Sequence, residues 1–138
     1  MSPEVWDDAL PRIQAAAASI ALSVELPNED AGPRPMPPAP WLDIEVAAQG
    51  AEPIEIGGKI WEERGQIFLH VMIPVGTGLR AGLVLRKTLS EAFRAVTNAA
   101  AGLVYRDGQD FDPLGPGTDD GVYRRLSLVI RYIYQDTT

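Results

Sequence analysis

The sequence contains no cysteine, a single histidine and no apolar run approaching the roughly 20 residues that a membrane-spanning helix requires. The missing cysteines exclude a disulfide framework, a thiol nucleophile and a thiolate zinc site. One histidine, His70, leaves little material for imidazole chemistry. The first residues show neither the basic region nor the apolar block of a signal peptide, so the chain is expected to be cytosolic when made and to have no membrane contact. A phosphate loop is also absent, because no Gly-x-x-x-x-Gly-Lys-Ser/Thr pattern occurs.

What is present reads as a globular domain of 138 residues, since a hydrophobic share of 46% with 22% charged residues is ordinary for a chain that buries a core. A net charge of -7 argues against gripping nucleic acid over the whole surface, which requires Lys and Arg to neutralise phosphates. That charge is uneven. Residues 1–63 hold 12 acidic and 3 basic groups, whereas residues 64–138 hold 7 and 9, so one part can face one partner and the other part a second.

The stretch from Ile54 to Phe93 organises the rest. Ile54, Ile56 and Ile60 alternate with polar residues and predict a half-buried strand over 54–61, interrupted by Gly57-Gly58. A reversal is expected at Glu62-Glu63-Arg64-Gly65, followed by a strand over 66–73 that is apolar on both faces apart from His70, as a covered central strand would be. Pro74 ends that strand. Leu79, Leu83, Leu89, Phe93 and Val96 then predict the buried side of a helix, with Thr77 as its N-cap and Arg80, Arg86, Lys87, Glu91 and Arg94 toward water. Gly76-Thr77-Gly78 before that helix also admits an anion-binding reading.

Before this stretch, a helix is expected to about Val24, either from Ser2 with a kink at Pro11 or from Asp8 with Pro11 in its first turn. Ile13, Ala16, Ala17, Ile20 and Val24 form its apolar stripe. Six prolines between Pro27 and Pro40 predict a stiff extended arm. Trp41 to Val46 alternates as a strand with Leu42, Ile44 and Val46 inward and Asp43 and Glu45 on a solvated face. After the second helix, 101–105 predicts a short strand and 107–121 a long loop. Its Asp107, Asp110 and Asp112 lack the spacing of a calcium loop. The chain closes on a strand over 122–134, with Leu126, Leu128, Ile130, Tyr132 and Tyr134 on one face and Arg125, Ser127 and Arg131 on the other. A strand this long at a sheet edge invites association with another chain.

An ordered set of motifs runs through these elements. It comprises the N-terminal amphipathic helix, Leu26-Pro27-Asn28-Glu29 before the proline arm, Pro40-Trp41-Leu42, Gly58 and Arg64-Gly65, Ile73-Pro74-Val75-Gly76-Thr77-Gly78, and Tyr123-Arg124-Arg125. In that order the chain resembles the tail terminator, or tail completion, proteins of long-tailed bacteriophages and gene transfer agents. The resemblance implies an α/β (α+β) subunit in which two helices pack on a small mixed, mainly antiparallel sheet of four to five strands, in the order α-β-β-β-α-β-β. It implies a structural virion protein, assembled in the bacterial cytoplasm as a hexameric ring, with no enzymatic activity and no cofactor. Such a ring caps the tail tube protein, ends its polymerisation and meets the head–tail connector protein, while DNA passes through without specific binding. Asn28, Arg64, Arg124 and Arg125 are the contact positions that follow from the match.

Three other readings stand beside it. One is a neck or head-closure subunit of the same virion. Another is a small enzyme or metal site centred on His70 with Glu62 or Glu63, against which a histidine sharing a strand face with Phe68 and Met72 reads as a buried, hydrogen-bonded residue. The third is an anion-binding module at Gly76-Thr77-Gly78.

Overall fold

The computed structural model describes residues 1–29, 32, 34, 36–94, 96–106, 109–115 and 121–137, of which 109–115 are described by backbone path alone. Among these residues the elements are α1 (Pro3–Ser19), β1 (Ser23–Glu25), β2 (Trp41–Ala48), β3 (Glu52–Pro53), β4 (Trp61–Pro74), α2 (Leu79–Glu91), β5 (Leu103–Tyr105), β6 (Gln109–Gly115) and β7 (Tyr123–Asp136). They build the expected α+β architecture, with seven strands where four to five were predicted. The sheet order is β1-β2-β4-β7-β5, with β3 added beside β4 and β6 beside β7. Only β1 and β2 run parallel; every other pair is antiparallel.

The spine is the pairing of β4 with β7, in register from Trp61↔Asp136 to Pro74↔Tyr123. Alternation along these strands puts Ile67, Leu69, Val71 and Ile73 with Leu126, Leu128, Ile130, Tyr132 and Tyr134 on one buried face. Leu42 and Ile44 of β2 extend it. Both helices cover this face, α1 through Val5, Ala9, Ile13 and Ala17 and α2 through Leu89, with Phe93 just beyond the end of α2. Each large apolar side chain so buried contributes about 1.5–3 kcal/mol.

Four expectations fail for identifiable reasons. The chain does not reverse at Glu62–Gly65, because β4 runs straight through. The turn lies instead at 54–60, where Gly58 takes a φ of 65° and the Ile54 amide donates to the Ile60 carbonyl at 3.0 Å. Ile54 and Ile56 are consequently exposed and contribute nothing to the core. The terminal strand is not an edge strand, since β4 borders one side and β5 and β6 the other. The segment expected as a loop over 107–121 contains β6; residues 107–108 and 116–120, together with the side chains of Asp107, Asp110 and Asp112, lie outside the described residues.

The fourth concerns α2. Its buried face is Gly82, Arg86, Leu89 and Ser90, while Leu79 and Leu83 are exposed. Gly82 explains the rotation. A Cβ there would lie 2.6 Å from Leu126 Cδ1 and 3.1 Å from Ile73 Cδ1, so the helix backbone comes down onto the sheet at this residue and carries Leu83 outward. Arg86, expected in water, is buried and donates to the Ser127 carbonyl. Thr77 does not cap, because its hydroxyl donates to the Pro74 carbonyl at 2.7 Å and Gly78 takes the N-cap position. The helix stops at Glu91, short of Val96.

The choice at Pro11 also resolves. The first helix starts at Pro3 and continues past Pro11, which lies inside it. It ends at Ser19, and Val24 belongs to β1. Two carboxylates hold this helix. Asp8 accepts hydrogen bonds from Arg12 (3.0 Å), the Tyr105 hydroxyl (2.7 Å) and the Ala100 amide (3.1 Å). Glu63 accepts from the Ser2 amide (3.0 Å), the Ser2 hydroxyl (2.7 Å) and the Tyr132 hydroxyl (2.7 Å). Burial pushes both carboxyls upward, but the hydrogen bonds outweigh it, with the Arg12 charge added at Asp8, so both titrate below their ordinary values. A carboxyl depressed in the folded state stabilises the fold above its unfolded pKa of about 4 and loses that contribution as pH falls through the folded value. Denaturant midpoints should therefore hold between pH 7 and 5 and decline below pH 4, and Asp8→Asn should flatten part of that decline.

Candidate interaction surfaces

The helices cover one face of the sheet, so the side chains of opposite parity form an outer face. From β2 it receives Trp41, Asp43 and Glu45, from β4 Arg64, Gln66, Phe68, His70 and Met72, and from β7 Tyr123, Arg125, Ser127, Val129 and Arg131. Charge is segregated across it. Carboxylates lie on β2 with Glu25 of β1 beside them, and burial together with the Glu25 charge pushes the Asp43 carboxyl above its usual range. Guanidinium groups gather toward β7. The proline arm is pinned at one point of this face, where Arg34 stacks 3.5 Å from the Trp41 ring centroid and pairs with Glu25 at 2.8 Å.

The basic side contains an open cleft of about 490 Å³ lined by Arg64, Arg106 and Arg131 with Gln49, Gln66 and Ile133. Its floor is low because Ala47, Ala48 and Gly65 present little side chain. The Arg64 side chain is 63% exposed and is tethered to Glu62 at 2.9 Å. Such a cleft can engage carboxylates or other planar anions through several guanidinium forks.

The four positions nominated from sequence do not converge. Arg64 lies opposite Ile133 and Arg125 opposite Met72, which separates them by about 26 Å of strand. Arg124 and Arg125 are consecutive in β7 and point to opposite faces, Arg124 exposed and Arg125 half-buried. Asn28 is exposed in a left-handed conformation with a φ of 59°, next to the N-terminal end of α1. Sequence reasoning missed Arg106 and did not join Arg131 to Arg64. The signal for Arg131 was legible, because it shares the parity of Arg125, but its pairing with β4 was not.

His70 stands directly opposite Ser127 and is held by two contacts, Nδ1 to Ser127 Oγ at 2.7 Å and Nε2 to Glu45 Oε2 at 2.9 Å. Serine, histidine and carboxylate in sequence of contact have the composition of a hydrolytic triad. The geometry differs, because Ser127 is 0% exposed in the middle of the sheet and no substrate carbonyl reaches its hydroxyl. Glu62 and Glu63, expected as partners, are elsewhere: Glu62 binds Arg64 and Gln135, and Glu63 faces the helices with Ser2 and Tyr132. Among the described residues no group of three or more His, Asp or Glu side chains is placed to hold a metal. His70→Gln, which keeps polar contacts to both neighbours, should shift stability by about 1 kcal/mol and leave assembly unchanged. Denaturant unfolding and native mass measured on one preparation check both halves.

No helix among the described residues is long and apolar enough to cross a membrane. No curated protein matches the sequence. One solved structure, 20% identical, superposes with a TM-score of 0.69 over 97% of this chain and 96% of that chain, and so shares the fold. A family model described as the phage tail terminator protein matches residues 4–132. That match takes in α2, β4, all but the first residue of α1 and β7 as far as Tyr132, and on it the chain belongs to the phage tail terminator protein family.

Proposed function

We propose that this protein caps the completed tail tube, ends its polymerisation and forms the surface on which the head–tail connector protein docks, acting as a hexameric ring assembled in the host cytoplasm. The family match over residues 4–132 carries this reading. The distribution of surface chemistry supports it. A subunit that joins two different partners and its own copies needs several dissimilar surfaces, and the outer sheet face supplies an acidic side at β2 and a basic cleft at Arg64, Arg106 and Arg131. Arg64, Arg124, Arg125 and Asn28 are contact positions in this reading. Arg64 and Arg125 serve at separate points of the outer face, Arg124 on the reverse, and Asn28 beside the first helix.

The protein works by complementary surfaces and performs no chemistry, a reading favoured by the burial of Ser127 beneath its histidine. DNA passes the assembled ring without being gripped, in keeping with the net charge of -7. The test is where the protein binds. Gold-labelled protein added to tubes polymerised from purified tail tube subunit should decorate one end of each tube. Labelling along the walls, or none at all, would contradict the proposal. Failure on tubes with binding to isolated connector rings would make it a head-side joining protein instead.

A further inference from the structure

Among the described residues, two apolar patches stand uncovered on either side of β4 in the chain, one on the turn that precedes it and one on the helix that follows it. The first is the turn between β3 and β4, where Ile54 and Trp61 are nearly half exposed and Ile56, at its tip, is fully exposed. The turn is held in shape from within, by the Trp61 indole donating to the Gly58 carbonyl at 3.1 Å and the Lys59 amide donating to Glu55 at 2.9 Å. Its form is thus fixed while its apolar side chains face water. The second is the outer face of α2, where Leu79, Leu83 and Val84 are exposed. β4 runs about 43 Å from the turn to Pro74, and Gly82 of α2 packs over Ile73 and Leu126 near that far end, so the turn does not reach the helix of its own copy.

The polar residues around them are complementary. At the turn Glu52 and Glu55 outnumber Lys59, whereas on the helix Arg80 and Lys87 outnumber Glu91. We infer that the Ile54–Trp61 turn of one copy docks on the outer face of α2 in the next, with Ile56 between Leu79 and Leu83 and with Glu52 and Glu55 facing Arg80 and Lys87. This rests on the ring reading above and gives it an interface. Because the two patches differ, the contact is head-to-tail, the arrangement that closes into a ring when the rotation per copy permits. An isologous pair, turn on turn, would bring like charges together and leave both helices bare.

The absence of cysteine makes the test direct. Single-cysteine variants Ile56→Cys and Leu83→Cys, each at an exposed position, are prepared in the full chain, one carrying an affinity tag, then mixed and mildly oxidised. The expected product is the Ile56–Leu83 heterodimer, at least fivefold above the statistical share given by the two homodimers. Arg80→Glu in the Leu83→Cys partner should reduce that excess to the statistical share, and adding Glu55→Arg to the Ile56→Cys partner should restore it. A statistical mixture, or equal cross-linking of Ile56→Cys with a Gln14→Cys variant on the exposed side of α1, would overturn the inference. Statistical cross-linking with tubes still labelled at one end would move the ring interface elsewhere and leave the capping reading standing; specific cross-linking without end labelling would do the reverse.

Discussion

Replacing Gly65 by valine is expected to lower unfolding free energy by about 3–5 kcal/mol, combining overpacking with the loss of a hydrogen bond to a charged group. Gly65 lies opposite Tyr132 across the spine, and a Cβ at this residue would stand 2.5 Å from Tyr132 Cζ and 2.6 Å from Cε1. The ring cannot move aside cheaply. It is 1% exposed among core residues, and its hydroxyl donates to Glu63 at 2.7 Å. Gly65 is therefore required for space and not for turning. For a chain of this size the loss corresponds to a fall in Tm on the order of 10 °C, readable by calorimetry. In a Tyr132→Ala background the same substitution should cost less than about 1 kcal/mol, because the two side chains compete for one volume. Equal costs in both backgrounds would show that the close approach does not limit the site.

The second large effect is expected at Glu63. Its carboxylate is the shared acceptor for the Ser2 amide, the Ser2 hydroxyl and the Tyr132 hydroxyl. Glu63→Ala strands the buried Tyr132 hydroxyl and unties the first turn of α1 from the sheet, at a cost of about 3 kcal/mol. Glu63→Gln retains one acceptor oxygen and the shape, so it should cost less than half as much. Tyr132→Phe removes a single arm of the network and should cost about 1 kcal/mol. Hydrogen exchange locates the effect: amides in the first two turns of α1 should lose protection in Glu63→Ala well before those of β4. Uniform loss of protection, or a cost under about 1 kcal/mol, would mean that the helix is held by its apolar stripe alone.

Much of the fold was legible because period-two alternation is strict where the sheet is covered. Leu126, Leu128, Ile130, Tyr132 and Tyr134 could be assigned to one face directly, and that face is the buried one. The failures share a cause. Gly65 and Gly82 were read by local rules, one as a turn former and the other not used at all, whereas each is a point where another part of the chain comes close. Those partners, Tyr132 and Leu126, are more than forty residues away, and no local pattern contains them. Misplacing the turn at Gly65 also misplaced Ile54 and Ile56, which alternate like core residues but stand in water at the tip of a turn. Exposed leucines on α2 were misread in the same way, since helical periodicity shows which residues share a face and not which face is buried.

The surfaces were legible in part. Of the arginines nominated as contact positions, Arg64 and Arg124 are exposed and Arg125 is half-buried, but the cleft that gathers Arg64 with Arg106 and Arg131 depends on β5 lying beside β7, a pairing between distant segments. His70 was read as buried and bonded, and its partners Ser127 and Glu45 could be found only once β2, β4 and β7 were in register.

The central claim is that this chain ends a polymer by covering it with complementary surface. The length distribution of tail tubes, measured by electron microscopy after polymerising purified tube subunit with increasing amounts of this protein, tests it most directly. The account predicts that mean length falls with each addition and that tubes stop growing once one ring is available per tube. Tubes of unchanged mean length at a saturating excess of protein would contradict it.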